Sequence, residues 1–225
     1  VQHMDMNGNS ELAVPQNTLG AELRQLENKQ WEQITLPHTP FVEPLTVLHQ
    51  WQGLCYYKKK ITITPEEAKK HIWIEFEGAM HLADVWINGK HVMQHAGGYT
   101  PFVVDATGLL KTDKENELLV RLDNRNNSLI PPGKPLETLD FCYYGGIYRN
   151  VHLIAKADVH ITHPILDGHP AGAGIFITYP KVSQELSVVD AKTEIKNTSD
   201  KEKVVELRHT LYTWERQKGK DKKVQ

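Results

Sequence analysis

Apolar side chains recur at every second position in short runs along most of the chain. Residues 71–77 set Ile72, Ile74 and Phe76 on one side and Trp73, Glu75 and Glu77 on the other. Successive strand side chains point to opposite faces, so this run predicts a strand with its first set in a core and its second toward solvent. Residues 83–87 alternate again and end at Asn88-Gly89. That pair suits a type I′ hairpin turn, in which both central residues take positive φ, and the return strand is expected from Lys90. Further strands are expected over 31–36, closed by Pro37 and Pro40, over 51–64 with Tyr57, Lys59, Ile61 and Ile63 on one parity, over 103–107 and over 117–122. Residues 65–70 have the composition of a helical turn without the length of a helix, and residues 18–26 form a short amphipathic piece in a weakly patterned start. No segment sustains a helical period. The expected fold class is therefore all-β, an antiparallel β-sandwich over residues 1–157.

A boundary is expected next, because residues 159–164 end in proline and 167–174 are loop-like in composition. Residues 186–195 and 204–214 then read as two long strands around the polar turn 197–201. Two strands cannot close a domain, so residues 158–225 are expected to be the first part of a second sandwich, cut off part-way.

The densest chemistry lies in Leu139-Asp140-Phe141-Cys142-Tyr143-Tyr144-Gly145-Gly146-Ile147-Tyr148-Arg149, a loop entering a strand. It follows residues 124–135, a long Asn, Pro and Gly-rich loop of the kind that often carries function. Gly97-Gly98-Tyr99-Thr100-Pro101-Phe102 is a second glycine-aromatic loop. Two readings of the 139–149 stretch stand side by side. One is a buried aromatic turn whose Arg149 pairs with a core carboxylate; the other is a sugar-facing rim with Asp140 at its mouth.

Composition narrows the classes. At 225 residues, 40% hydrophobic and 24% charged, the chain has the make-up of an ordinary soluble globular protein of one large or two modest domains. A formal charge of −2 favours neither nucleic acid nor an anionic membrane, and Lys58-Lys59-Lys60 and the lysines from 218 to 223 read as solvated faces. No apolar run approaches the roughly twenty residues of a membrane span. Residues 1–10 lack a charged-then-apolar signal, which leaves the compartment open; bacterial periplasm or the extracellular medium is expected, with cytoplasm as the alternative. Cys55 and Cys142 read as free, partly buried small hydrophobes.

Candidate catalytic groups dissolve one by one. Glu75 and Glu77 lie on one strand face about 7 Å apart, a spacing compatible with glycoside hydrolysis, yet an amphipathic strand accounts for them without catalysis. His91 and His95 have an i, i+4 spacing that converges on a metal only from a helix, and no third ligand stands nearby. Neither a nucleophile elbow, a phosphate loop nor a dinucleotide fingerprint is present. No catalytic residue, no metal site and no cofactor is expected within the chain.

Read together, Gly53-Leu54-Cys55-Tyr56-Tyr57-Lys58-Lys59, Phe76-Glu77-Gly78-Ala79, Val85-Trp86-Ile87-Asn88-Gly89-Lys90, His95-Ala96-Gly97-Gly98-Tyr99-Thr100-Pro101-Phe102 and Tyr144-Gly145-Gly146-Ile147-Tyr148-Arg149 resemble the N-terminal domain of glycoside hydrolase family 2. That family includes β-galactosidases, β-glucuronidases and β-mannosidases. Residues 191–198 and 207–212 resemble early strands of its second domain. The resemblance implies a jelly-roll sugar-binding domain over 1–157, then a truncated immunoglobulin-like sandwich over 158–225, with the TIM barrel and both catalytic glutamates absent from this chain. It implies a retaining β-glycosidase, more a β-galactosidase than a β-glucuronidase, inactive as the fragment alone.

By the same resemblance Asp140 matches an aspartate that reaches into the barrel's sugar pocket, with Tyr143 and Tyr144 supporting the rim. The family's second contributor, an early-loop asparagine, has no counterpart between residues 37 and 49, while Arg149 and the Asn88-Gly89 pair are assigned structural roles. The partners implied are a β-galactoside or related glycan and the barrel domain of the same protein; a homo-oligomer is left open. Two other classes remain: an independent carbohydrate-binding module with Trp51, Tyr99 and Tyr143 on the glycan, and a purely structural sandwich.

Overall fold

A computed structural model describes residues 2–6, 31–41, 50–169, 173–217 and 220–224; the amphipathic piece expected over 18–26 lies outside them. The chain divides into two units, Val1–Ala157 and Asp158–Gln225. In the first unit the strands are β1 (Gln2–Met6), β2 (Glu32–Gln33), β3 (Leu54–Ile61), β4 (His71–Phe76), β5 (Leu82–Ile87), β6 (Lys90–Ala96), β7 (Phe102–Asp105), β8 (Asn116–Asp123) and β9 (Val151–Lys156). They form a six-stranded sheet of order β2-β1-β3-β8-β5-β6 and a three-stranded sheet of order β7-β4-β9, with every neighbour antiparallel. Residues 67–69 make the short helical turn, as a single turn of 3-10 helix.

The alternation in β4 directs Ile72, Ile74 and Phe76 into a core shared with Cys55 and Tyr57 of β3, Ala83, Val85 and Ile87 of β5, and Val120 and Leu122 of β8. Phe76 stacks on Phe102 of β7 with ring centroids 4.5 Å apart. Each large side chain so buried contributes about 1.5–3 kcal/mol. The β5–β6 hairpin turns on Asn88 (φ 52°) and Gly89 (φ 77°), and Asn88 Oδ1 accepts the Glu117 N–H at 3.0 Å.

Two expectations need correction. Trp73 is only 4% exposed, so the second face of β4 is covered at that position, while Glu75 stays partly exposed; alternation separates two faces without saying that either is wet, and an indole's large apolar surface favours burial. Among the described residues, the arginine buried in the interior is Arg121, not Arg149. On β8, Arg121 stands in register between Tyr56 of β3 and Asp84 of β5, and its Nη1 lies 3.3 Å from Asp84 Oδ2. Asp84 Oδ1 also takes bonds from Gln94 Nε2 at 2.9 Å and His91 Nε2 at 3.0 Å, while Asp123 holds Arg125 bidentately at 2.9 and 2.6 Å. Arg149 precedes β9, where no ladder sets its direction, and lies exposed with its guanidinium 5.5 Å from the Tyr148 ring centroid. Lys58 and Lys60 pair with Glu117 and Glu115 at 2.7 and 2.8 Å, which fits an ordinary charged face.

The second unit contains β10 (Val159–Ile161), β11 (Ile175–Val182), β12 (Ser187–Thr193), β13 (Ile195–Asn197), β14 (Thr213–Gln217) and β15 (Lys220–Val224), paired antiparallel as β10-β13, β11-β12 and β14-β15. The strand expected over 186–195 changes partner at Glu194, whose N–H donates to Gly174 O at 2.9 Å and whose carbonyl accepts from Thr162 N at 3.1 Å. β11 escaped the sequence reading because Pro180 interrupts its Ile175, Ile177, Tyr179 alternation. Conversely, residues 203–212 form no strand: their apolar positions alternate, but they enter no ladder among the described residues. Cys55 and Cys142 are not joined by a disulfide.

Removing one partner of a buried pair leaves an uncompensated charge, at about 3–5 kcal/mol. Asp84→Ala is therefore expected to lower unfolding stability by about that amount in urea titration, with Asp190→Ala, an exposed carboxylate, changing it by under about 0.5 kcal/mol.

Candidate functional site

Three connections of the first unit interlock: residues 78–81 after β4, residues 97–101 between β6 and β7, and residues 139–150 before β9. Met80 N donates to Gly146 O at 3.0 Å, and Gly97 N to His81 O at 2.9 Å. The Tyr148 hydroxyl donates to Gly98 O, and the Tyr143 hydroxyl shares a hydrogen bond with His81 Nδ1. Close approach favours glycine at two of these points. A Cβ on Gly98 would press on the end of the Met80 side chain. Gly146 has φ 100°, and a Cβ there would lie 2.6 Å from the Tyr57 hydroxyl and 2.7 Å from the His38 carbonyl.

The 139–144 segment is braced from its other side too. Gln50 accepts the Tyr143 N–H through Oε1 and donates through Nε2 to Phe141 O at 3.4 Å. Asn126 Oδ1 accepts Leu136 N at 3.0 Å, fixing the start of the turn at 136–138, and Leu139 N donates back to Leu136 O at 3.1 Å. Leu136, Met80 and Tyr143 form a small buried cluster against which Leu139 and Tyr148 pack. Beneath it, Asn124 is buried and binds Gly53 N at 2.7 Å through Oδ1 and Trp51 O at 2.9 Å through Nδ2.

On this braced loop Asp140 is exposed and, among the described residues, has no hydrogen-bond or ion-pair partner. Tyr143 is 4% exposed and meets the rim from beneath, Tyr144 is half-buried, and Tyr99 stands at 47% exposure with its ring edge-on to Tyr143 at 6.4 Å. The loop thus carries an open carboxylate, followed in sequence by the exposed Phe141, and a carboxylate so placed is able to accept hydroxyl hydrogen bonds.

The other sequence candidates lie apart from this arrangement. Glu77 is held by His152 Nε2 at 2.9 Å and by the side chain of Asn150 at 3.1 Å, and the bond from His152 keeps its carboxyl below the usual range. His91 serves Asp84, while His95 stacks on Phe102 at 4.5 Å, so the two histidines do not converge. Among the described residues no three His, Cys, Asp or Glu side chains gather as a metal site would require.

His81 is the buried residue of this frame that sequence reading missed. It directly follows the Phe76-Glu77-Gly78-Ala79 run and Met80, and nothing in its neighbours marks it as the partner of a tyrosine 62 positions away. It is 2% exposed, and desolvation, opposed by the nearby Asp123 carboxylate, lowers its pKa to about 4. Burial likewise pushes the Tyr143 hydroxyl up, so both groups of the bond are neutral at pH 7.

Above pH 6.5 His81 is neutral in folded and unfolded chains and contributes nothing to pH dependence. Between 6.5 and about 4 the unfolded chain takes up a proton that the folded site refuses, so stability falls as pH falls. His81→Asn should therefore flatten the acid slope: the wild type is expected to lose about 3 kcal/mol more than the variant between pH 7 and pH 4 in urea titrations.

Comparison with known proteins identifies the family. The sequence profile described as "Glycosyl hydrolases family 2, sugar binding domain" matches residues 4–157. A β-glucuronidase of Formosa agariphila is 32% identical over 190 residues, which are 79% of this chain and 19% of the relative. A β-galactosidase of Thermoanaerobacter pseudethanolicus is 32% identical over 192 residues, 83% of this chain and 26% of the relative. The structure of Bacteroides uniformis β-glucuronidase 2, covalently bound to cyclophellitol-6-carboxylate aziridine, superposes with a TM-score of 0.62 at 33% identity, covering 75% of this chain and 19% of that one. The chain thus spans about a quarter or less of the length of these relatives. With the profile match over 4–157 and these relatives in view, the chain belongs to glycosyl hydrolases family 2.

Proposed function

We propose that this chain is a non-catalytic N-terminal part of a retaining β-glycosidase, that its partner is a catalytic barrel in the same polypeptide, and that Asp140 binds hydroxyls of a terminal β-linked sugar in the completed site. The observation that carries this reading is the exposed, unpartnered Asp140 on a loop otherwise held by buried bonds. A surface carboxylate that needs no partner for the fold is available to a ligand. Ionised, it accepts two sugar hydroxyls, each charge-assisted bond being stronger than one to a neutral acceptor. Tyr144 on the same loop and the exposed Tyr99 would supply apolar surface for the sugar ring.

The chemistry of Asp140 suits a β-galactoside and a β-glucuronide alike, because both present adjacent ring hydroxyls. Relatives named for each activity stand at similar identity, 32% for the β-glucuronidase and 32% for the β-galactosidase. Hydrolysis itself belongs to two carboxylates outside this chain, one attacking the anomeric carbon and one protonating the leaving oxygen.

The test uses the complete protein with p-nitrophenyl β-D-galactoside and β-D-glucuronide. Wild type is expected to hydrolyse one of them, and Asp140→Ala to lose about 10- to 150-fold in kcat/KM, the equivalent of the roughly 1.5–3 kcal/mol carried by a hydrogen bond to a charged group. Hydrolysis of neither substrate, or an unchanged kcat/KM in the variant, would overturn the reading.

A further inference from the structure

A six-residue loop that presents a carboxylate needs something other than its own backbone to hold it. Residues 139–144 contain no strand or helix, and their described backbone bonds outward run through Leu139 to Leu136 and, by way of the Gln50 side chain, through Phe141 and Tyr143. The most deeply buried side chain of the loop is Tyr143. Its ring joins the Met80 and Leu136 cluster, and its hydroxyl ends on His81 Nδ1. His81 in turn is fixed through its backbone on both sides, its N–H donating to Asp123 O of β8 at 3.2 Å and its carbonyl accepting from Gly97 at 2.9 Å.

The geometry points to Tyr143 as a positioning residue: through its hydroxyl bond to His81 it ties the Asp140 loop to the β8 end of the six-stranded sheet and so keeps Asp140 aimed at its ligand. The inference rests on the reading of Asp140 as a sugar-binding group. Tyr143 itself stays beneath the surface and acts only through its neighbour three positions earlier. The bond is well suited to that purpose. A tyrosine has two side-chain torsions to restrain, and a polar pair buried this deeply is costly to separate because neither partner finds water in the site. Loss of the hydroxyl alone removes the tether while leaving the ring and its packing in place.

Two measurements separate positioning from general stability. Hydrogen exchange of a peptide covering 137–144 is expected to speed at least about tenfold in Tyr143→Phe, while peptides of β4 and β8 keep wild-type rates. In the complete protein, Tyr143→Phe should lower kcat/KM by about fivefold or more when Asp140 is present and have no further effect in the Asp140→Ala background, since residues acting as one unit are non-additive. His81→Asn, whose amide can replace Nδ1, should retain more of both properties than His81→Leu; this pair carries the comparison should Tyr143→Phe fail to fold. Unchanged exchange in 137–144, or an equal fall in kcat/KM with and without Asp140, would overturn the inference. If Asp140→Ala alone leaves kcat/KM unchanged, the sugar-site reading falls separately, and exchange still decides whether Tyr143 holds the loop.

Discussion

From residue 139 until β9 begins at Val151 the chain has almost no regular backbone pairing of its own, so the conformation of this stretch depends on neighbours that reach it from three directions. The 78–81 connection supplies the Met80–Gly146 bridge and His81, the 97–101 loop supplies the acceptor for Tyr148, and Gln50 secures the backbone at 141 and 143. Glycines stand where these segments press together, because a side chain at 98 would press on the end of the Met80 side chain and one at 146 would enter an atom already in place. Individually each hydrogen bond contributes only about 1 kcal/mol net. Together they leave one acidic side chain unengaged at the surface, and that asymmetry between a fixed frame and a free carboxylate gives the site its character.

The central strands β3, β8 and β5 of the six-stranded sheet carry buried side chains on both faces, and the second face is partly polar. Arg121 sits in register with Asp84 across the β5–β8 ladder and is shared with Asp123, which itself holds Arg125. Buried ion pairs contribute little net stability compared with apolar packing, but they penalise wrong registers because a one-residue slip would strand each charge. Asp123 is also where the sheet meets the rim, since its carbonyl receives the His81 N–H. Strand register and rim geometry are therefore linked through a single residue.

Much of the first unit was legible in the sequence. The β4 alternation, the Asn88-Gly89 turn and the short turn near 67–69 are local properties, written in adjacent residues. What escaped is non-local. That Trp73 is covered, that Arg121 rather than Arg149 pairs inside, and that His81 meets Tyr143 all depend on partners brought together by the sheet order, which no local pattern encodes. The second unit shows the same division: alternation alone suggested a strand over 204–214, but a strand exists only where another backbone receives its bonds, and the described pairing there begins at Thr213. At the candidate site, sequence resemblance singled out Asp140, Tyr143 and Tyr144, while the structure distinguishes an exposed carboxylate from a tyrosine whose hydroxyl is already engaged within the domain.

The most direct measurement is a crystal structure of the complete protein with a non-hydrolysable β-galactoside or β-glucuronide bound. The account predicts the Asp140 carboxylate within about 3 Å of one or two ring hydroxyls, with Tyr143 still bonded to His81 below it. A sugar seated in the catalytic site with Asp140 beyond about 4 Å of every hydroxyl, and with no water bridging them, would contradict it.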